Sequence, residues 1–194
     1  MEKIWLKHYP KNISSKIDSL KFNSIIDLMK NSSSLFPNHT AFTNLNTQLS
    51  YKKIDEYSEK FGAYLQNQLS ITKSSKVAIM LPNLLTYPVA LFGSYLAGAI
   101  VINVNPLFKG REIESALNDS GAETIIILDR FMSELESIVK NSSIKNIIVC
   151  RVTDLLSPIM SVLVKTVFFF KEPKIYLNSD YLLFSDTLKN SYIK

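Results

Sequence analysis

The sequence predicts an α/β domain, a mostly parallel sheet flanked by helices. Three observations lead there. Short, largely apolar runs recur along the chain: "VAIML" (77–81), "AIVINV" (99–104), "TIIIL" (124–128) and "IIVC" (147–150). Stretches with helical spacing separate them. Proline and glycine stand at the joints, at Pro82, Gly98, Pro106 and Gly121. Strands that are apolar at every position must be covered on both faces, and alternation with helices is how a parallel sheet achieves that.

Taken in order, residues 22–36 place Phe22, Ile25, Ile26 and Met29 on one helical face. Serines 32–34 are poor helix formers, so the helix either ends there or is carried through by packing. "TAFTN" (40–44) is a short strand candidate and "LNTQ" (45–48) reads as a turn. Ser50 is a sensible N-cap for the next helix, which sets Ile54, Tyr57, Phe61 and Leu65 at helical spacing with charge on the opposite side.

Residues 77–108 contain no charged side chain. Residues 84–104 of that window match a membrane span in length. Pro88 and Gly98 interrupt the run, however, and Asn83, Asn103 and Asn105 border it. The window divides instead into strand, helix and strand. Pro88 is placed to start the helix and Gly98 to follow its end. Beyond Pro106, residues 110–121 form a short helix with Ile113, Ala116 and Leu117 inward. Residues 131–139 form another, with Phe131, Leu135, Ile138 and Val139 inward.

From Arg151 the character changes. "LLSPIMSVLVKTVFFFKEPK" is apolar, with Lys165 in its middle and basic residues at its end. It reads either as a helix packed on the domain or as an amphipathic patch, between Leu155 and Phe170, that touches a membrane or a long apolar ligand. The tail, 181–194, reads as a strand and then a short helix.

Candidate chemistry is sparse. The five glycines form neither a GxGxxG nor a GxxxxGK[ST] phosphate loop. His8 and His39 lie far apart in sequence, and no GxSxG elbow presents a serine. Glu112/Glu114 and Glu134/Glu136 are i, i+2 pairs that point apart on a helix. Asn103 and Asn105 flank a strand end, where an α/β sheet opens its ligand crevice, although loop-shaping is the plainer role. Lys109-Gly110-Arg111 is open to an anion or is an ordinary polar helix start. The one cysteine, Cys150, excludes an internal disulfide framework, and no Cys/His cluster has zinc spacing. Nineteen scattered lysines against three arginines, with net charge +5, make a solvated basic surface and not a nucleic-acid platform. The start, "MEKIWLKHYPKNI", lacks the apolar core of a signal peptide, so a cytoplasmic protein is expected.

Four segments in series carry a resemblance. "EKIWLKHYPKNI", "LSYKKIDEYSEKFGAYL", "VAIMLPNLLTYPVALFGSYLAGAIVINVNPLF" and "REIESALNDSGAETIII" resemble the N-terminal part of bacterial long-chain fatty-acid–CoA ligases, members of the adenylate-forming superfamily. "LSYKKIDEYS" is similar to that superfamily's first core motif and "YLAGAIVINVNP" to its second. Trp5, Leu6, Tyr9 and Pro10 look like the bacterial long-chain subgroup. The likeness is close over 1–150, looser over 151–175, and returns at 184–192.

The resemblance implies the N-terminal part of the large adenylate-forming domain. It divides the chain into a 1–50 extension, a 51–150 α/β subdomain and a 151–194 apolar and basic segment. It implies a two-step reaction in which ATP and a fatty acid form an acyl-adenylate with Mg²⁺, and coenzyme A then displaces AMP. The loop, acids and lysines that hold ATP, Mg²⁺ and CoA come later in such enzymes. No catalytic, cofactor-binding or metal-binding residue is therefore carried onto this chain, which is expected to be inactive alone. Two alternatives follow: a non-catalytic module that pairs with the missing C-terminal part of the ligase, and a small membrane-associated protein, peripheral to the inner face of the membrane.

Overall fold

The computed structural model describes residues 3–16, 21–168 and 180–189. Its centre is a five-stranded sheet in which every pairing is parallel. The strands are β3 (Lys76–Met80), β4 (Ile100–Asn103), β5 (Thr124–Leu128), β6 (Asn146–Cys150) and β7 (Leu182–Leu183), in the order β4-β3-β5-β6-β7. A separate antiparallel hairpin, β1 (Thr40–Asn44) and β2 (Thr47–Ser50), precedes it.

The parallel strands alternate in which face they serve. Val77, Ile79, Leu81, Ile126, Leu128, Ile148 and Cys150 point to one side. There they pack with Ile54, Phe61 and Leu65 of α2 (Tyr51–Leu69), Val89 and Ala90 of α3 (Thr86–Leu96), and Phe184 of α7 (Phe184–Thr187). Ala78, Met80, Ile125, Ile127, Ile147 and Val149 point to the other. They meet Ile113 and Leu117 of α4 (Gly110–Ser120) and Met132 and Leu135 of α5 (Met132–Glu136). Burying each such side chain contributes about 1.5–3 kcal/mol. Continuous apolar strands are what this two-sided cover requires.

The uncharged window is β3, α3 and β4. Among the described residues, no helix is long and apolar enough to cross a membrane. α3 begins at Thr86, two residues before Pro88. Proline still sits within the first turn, where its missing N–H has no partner to lose. Gly98 follows the helix at φ +84°, a left-handed conformation that glycine adopts without strain.

Several expectations need correction. The turn expected over 45–48 is only Leu45-Asn46, both left-handed (φ 43° and 54°), and Thr47–Ser50 is a strand that buries Thr47 and Leu49. For α1 (Ile25–Leu35) the second of the two expectations holds: it is carried through its serines, where Ser32 Oγ donates to the Leu28 carbonyl (2.8 Å) and Ser33 Oγ to the Tyr51 carbonyl (3.2 Å). Its buried face is Met29 and Ser33, while Ile25 is 56% exposed instead of inward. Lys30 turns that helix toward α2, pairing with Asp55 at 2.7 Å and with Glu59. The helix expected over 131–139 shrinks to α5, with a 3-10 turn on each side, and its interior includes Met132.

The apolar stretch after Arg151 contains α6 (Pro158–Phe168). Val164 alone in α6 is buried among its described side chains, with Met160 and Ser161 half-buried. Residues 169–179 and 190–194, part of the expected basic end and tail, lie outside the described residues.

Candidate functional site

In an open parallel sheet, ligand crevices form beyond the carboxyl ends of the strands, where the winding direction reverses. Here the chain steps from β3 outward to β4 and then returns to β5 on the other side of β3. The reversal therefore lies between the loops after β3 and β5, and the segments after β6 and β7 extend that edge.

Four segments bring polar groups to this edge. Thr86 opens α3, Asp129 follows β5, Cys150 ends β6, and Asp154 lies four residues beyond it. Asp186 in α7 joins them, because α7 follows β7 directly. Cys150 is fully buried and its thiol is pushed well above the ordinary range, first by burial and then by the negative charge of Asp154; nearby Thr86 opposes the shift. Thr86 Oγ1 is buried without a well-formed hydrogen bond, so its contact with the thiol is a weak one.

Asp154 is half-buried. Burial pushes its carboxyl up to about 6, and the charges of Asp129 and Asp186 add to the rise. The Arg151 N–H, donating to Asp154 Oδ2 at 2.9 Å, opposes it.

This edge does not suit a nucleotide triphosphate. The acidic groups Asp129, Asp154 and Asp186 lie along it, where polyphosphate would need cations or free N–H donors. Among the described residues, no cluster of three or more His, Cys, Asp or Glu has the arrangement of a metal site. No step through ATP or Mg²⁺ is derived from these residues.

The sequence candidates after β4 lie on the same carboxyl edge, at its other end. Asn103 is exposed and accepts the Tyr87 hydroxyl (3.1 Å), while Asn105 Oδ1 accepts the Leu107 N–H (3.0 Å) and shapes its loop. At Lys109-Gly110-Arg111, the start of α4 is already answered by its own acid, since Glu112 Oε2 accepts the Lys109 N–H at 3.1 Å. The shallow groove beside it, about 430 Å³, is lined by Phe108, Arg111, Glu112, Ser115, Ala116 and Asp119. Two acids against one cation do not make an anion site. His8 is exposed in a 3-10 turn, and His39 stands edge-on to Phe36 (centroids 5.5 Å apart) in a different segment.

The acidic edge was not among the sequence candidates. Its signal was a polar residue directly after an apolar strand, as in "TIIIL-D" and "IIVC-RVTD".

Comparison with known proteins adds the family. Residues 29–167 match the family described as AMP-binding enzyme. A long-chain-fatty-acid–CoA ligase of Escherichia coli O157:H7 is 40% identical over 99% of this chain and 35% of its own length. One from Haemophilus influenzae is 43% identical over 81% of this chain and 28% of its own. The chain thus spans about a third of the length of the curated relatives it matches. Among solved structures, the anthranilate CoA ligase AuaEII superposes with TM-score 0.69 at 20% identity, over 86% of this chain and 28% of that one. A long-chain-fatty-acid-CoA ligase from Archaeoglobus fulgidus gives 0.62 at 18%, over 71% and 30%. At those identities the superpositions speak to the fold alone. The family match over most of the chain makes this protein a member of the AMP-binding enzyme family.

Proposed function

We propose that the chain is the N-terminal α/β part of a long-chain fatty-acid–CoA ligase and contributes scaffold to it, while residues outside the chain hold ATP, Mg²⁺ and coenzyme A. The observation that carries this reading is 40% identity along 99% of the chain to a ligase almost three times as long. Activity would then depend on the other two-thirds of such a ligase, supplied in the same polypeptide or by a separate partner.

A chimera tests the scaffold role: the matching third of the Escherichia coli relative is replaced by this chain and assayed for oleoyl-CoA. A working chimera is expected, within about a hundredfold of the parent, since imperfect packing at the junction costs a few kcal/mol at most. A folded chimera that binds ATP yet makes no oleoyl-CoA counts against the proposal.

A second reading concerns location. α6 turns Ile159 (75% exposed), Val162 (64%), Leu163 (51%) and Val167 (72%) outward on one face. Such a stripe favours peripheral contact with a membrane surface. Flotation with anionic vesicles tests it. The chain should float, and Val162→Asp with Val167→Asp should not; equal flotation of both proteins rejects the reading.

A further inference from the structure

β4 is an edge strand with one flank unpaired. Ile100 N–H donates to the Ser75 carbonyl (2.8 Å) and Val104 N–H to the Ile79 carbonyl (3.0 Å), so Ile100, Ile102 and Val104 turn their backbone groups toward β3. Successive residues of a strand point their N–H and C=O to opposite sides, and those of Val101 and Asn103 therefore point away from the sheet. Among the described residues, no strand lies on that side.

Proteins usually blunt such an edge with lysine, proline or a bulge. β4 has none of the three. Ile100–Asn103 carries no charge and no proline, and its register with β3 is unbroken from Lys76 opposite Ile100 to Ile79 opposite Asn103. The opposite edge differs, since β7 has only two residues and is blunted by its shortness. Both faces of β4 also carry apolar side chains that the chain covers incompletely. Val101 is half-buried on the α2 and α3 side, as are Tyr87 and Leu91 of α3, and the Tyr87 hydroxyl marks the strand end by donating to Asn103 (3.1 Å). On the α4 side Ile102 and Phe108 are half-buried, and Ile100 is 51% exposed. A strand laid against β4 would bury these groups and pair the open N–H and C=O groups together.

We infer that β4 is an internal strand of the complete enzyme, whose outer flank takes an extended, largely apolar segment from the two-thirds of the ligase that this chain does not match. The N–H and C=O groups of Val101 and Asn103 join it. The inference rests on the scaffold reading, and the occupant is named by the 35% share of the relative's length that this chain spans. A second copy of the chain is the competing occupant. Two four-residue strands meeting across a twofold axis bring little beyond the edge itself, whereas a segment of the same polypeptide meets it at high effective concentration.

Residue-resolved hydrogen exchange tests it, on this chain and on the chimera that carries it in place of the matching third of the Escherichia coli relative. In the chain alone, the Val101 and Asn103 amides should exchange at close to unfolded rates while Ile102 is protected. In the chimera, protection of both should rise about a hundredfold or more. The reading needs a folded chimera and not an active one, so failure of the scaffold role and failure of this inference are told apart. Val101→Pro removes an outward N–H and leaves the ladder to β3 intact. It should lower the melting temperature of the chimera by about 5 °C or more beyond its effect on the chain alone. Should the chimera fail to fold, the two amides are read in the chain mixed with the unmatched two-thirds. Amides that stay fast in the larger protein, or an equal loss of stability from Val101→Pro in both, overturn the inference. So does a dimer of the chain alone in which both amides are already protected, since the occupant is then a second copy.

Discussion

Gly62 and Gly93 bring α2 and α3 into backbone contact. A Cβ on Gly62 would stand 2.9 Å from the Gly93 carbonyl oxygen, and one on Gly93 would stand 2.7 Å from Phe61 Cδ1 and 3.0 Å from the Ser58 carbonyl. Phe61 is fully buried against Phe184, with ring centroids 5.1 Å apart, so it has little room to yield. Gly93→Ala should therefore destabilise the domain by about 1–3 kcal/mol, the usual cost of overpacking. Urea unfolding reads this as a lower midpoint at an unchanged slope. An unaltered midpoint would mean that the helices separate freely.

The same helix pair holds two buried hydroxyls, Ser58 on α2 and Ser94 on α3, neither with a hydrogen-bond partner among the described residues. A buried donor without an acceptor costs free energy, and removing it restores that cost. Ser94→Ala is expected to be neutral or to stabilise by up to about 1 kcal/mol. A melting temperature that drops by several degrees would reveal a bond that the hydroxyl does make.

The hairpin turn makes an opposite forecast for a residue that looks well chosen. Leu45 is left-handed and 43% exposed, so it bears strain with little packing to offset it. Two-residue turns with both residues left-handed prefer asparagine and glycine. Leu45→Asn should stabilise the chain by about 0.5–1 kcal/mol. Thermal unfolding checks it, and a loss of stability would show that Leu45 is gripped by neighbours.

Cys150 reports on opening of the core. It is free and buried, and burial holds its thiol in the unreactive form. A soluble disulfide reagent should label the native chain at a rate on the order of a thousandfold below that of the urea-unfolded chain, because labelling waits for the core to open. Rapid labelling in the native state would place the end of β6 at the surface.

Much of the fold was legible in the residues. Pro82, Gly98 and Pro106 divide the uncharged window where β3, α3 and β4 divide it, because each interrupts the backbone pattern of its neighbours. β2 was hidden because Leu45 lacks the glycine signature of a tight turn, and the strand after it has only four residues. Ile25 was misplaced because Met29 and Ser33 set the rotation of α1, and only the packed helix reveals that. The acidic edge was illegible for a different reason. Asp129, Asp154 and Asp186 belong to separate segments, and only the strand order β5-β6-β7, which periodicity does not encode, brings those segments to one sheet edge.

The most direct test of the central claim is an assay of the purified 194-residue chain with oleate, ATP, Mg²⁺ and coenzyme A, with and without the unmatched two-thirds of the Escherichia coli relative. The account predicts no oleoyl-CoA from the chain alone and oleoyl-CoA when the two parts are combined. Turnover by the chain alone would contradict it, since the chemistry would then lie within residues assigned here to scaffold.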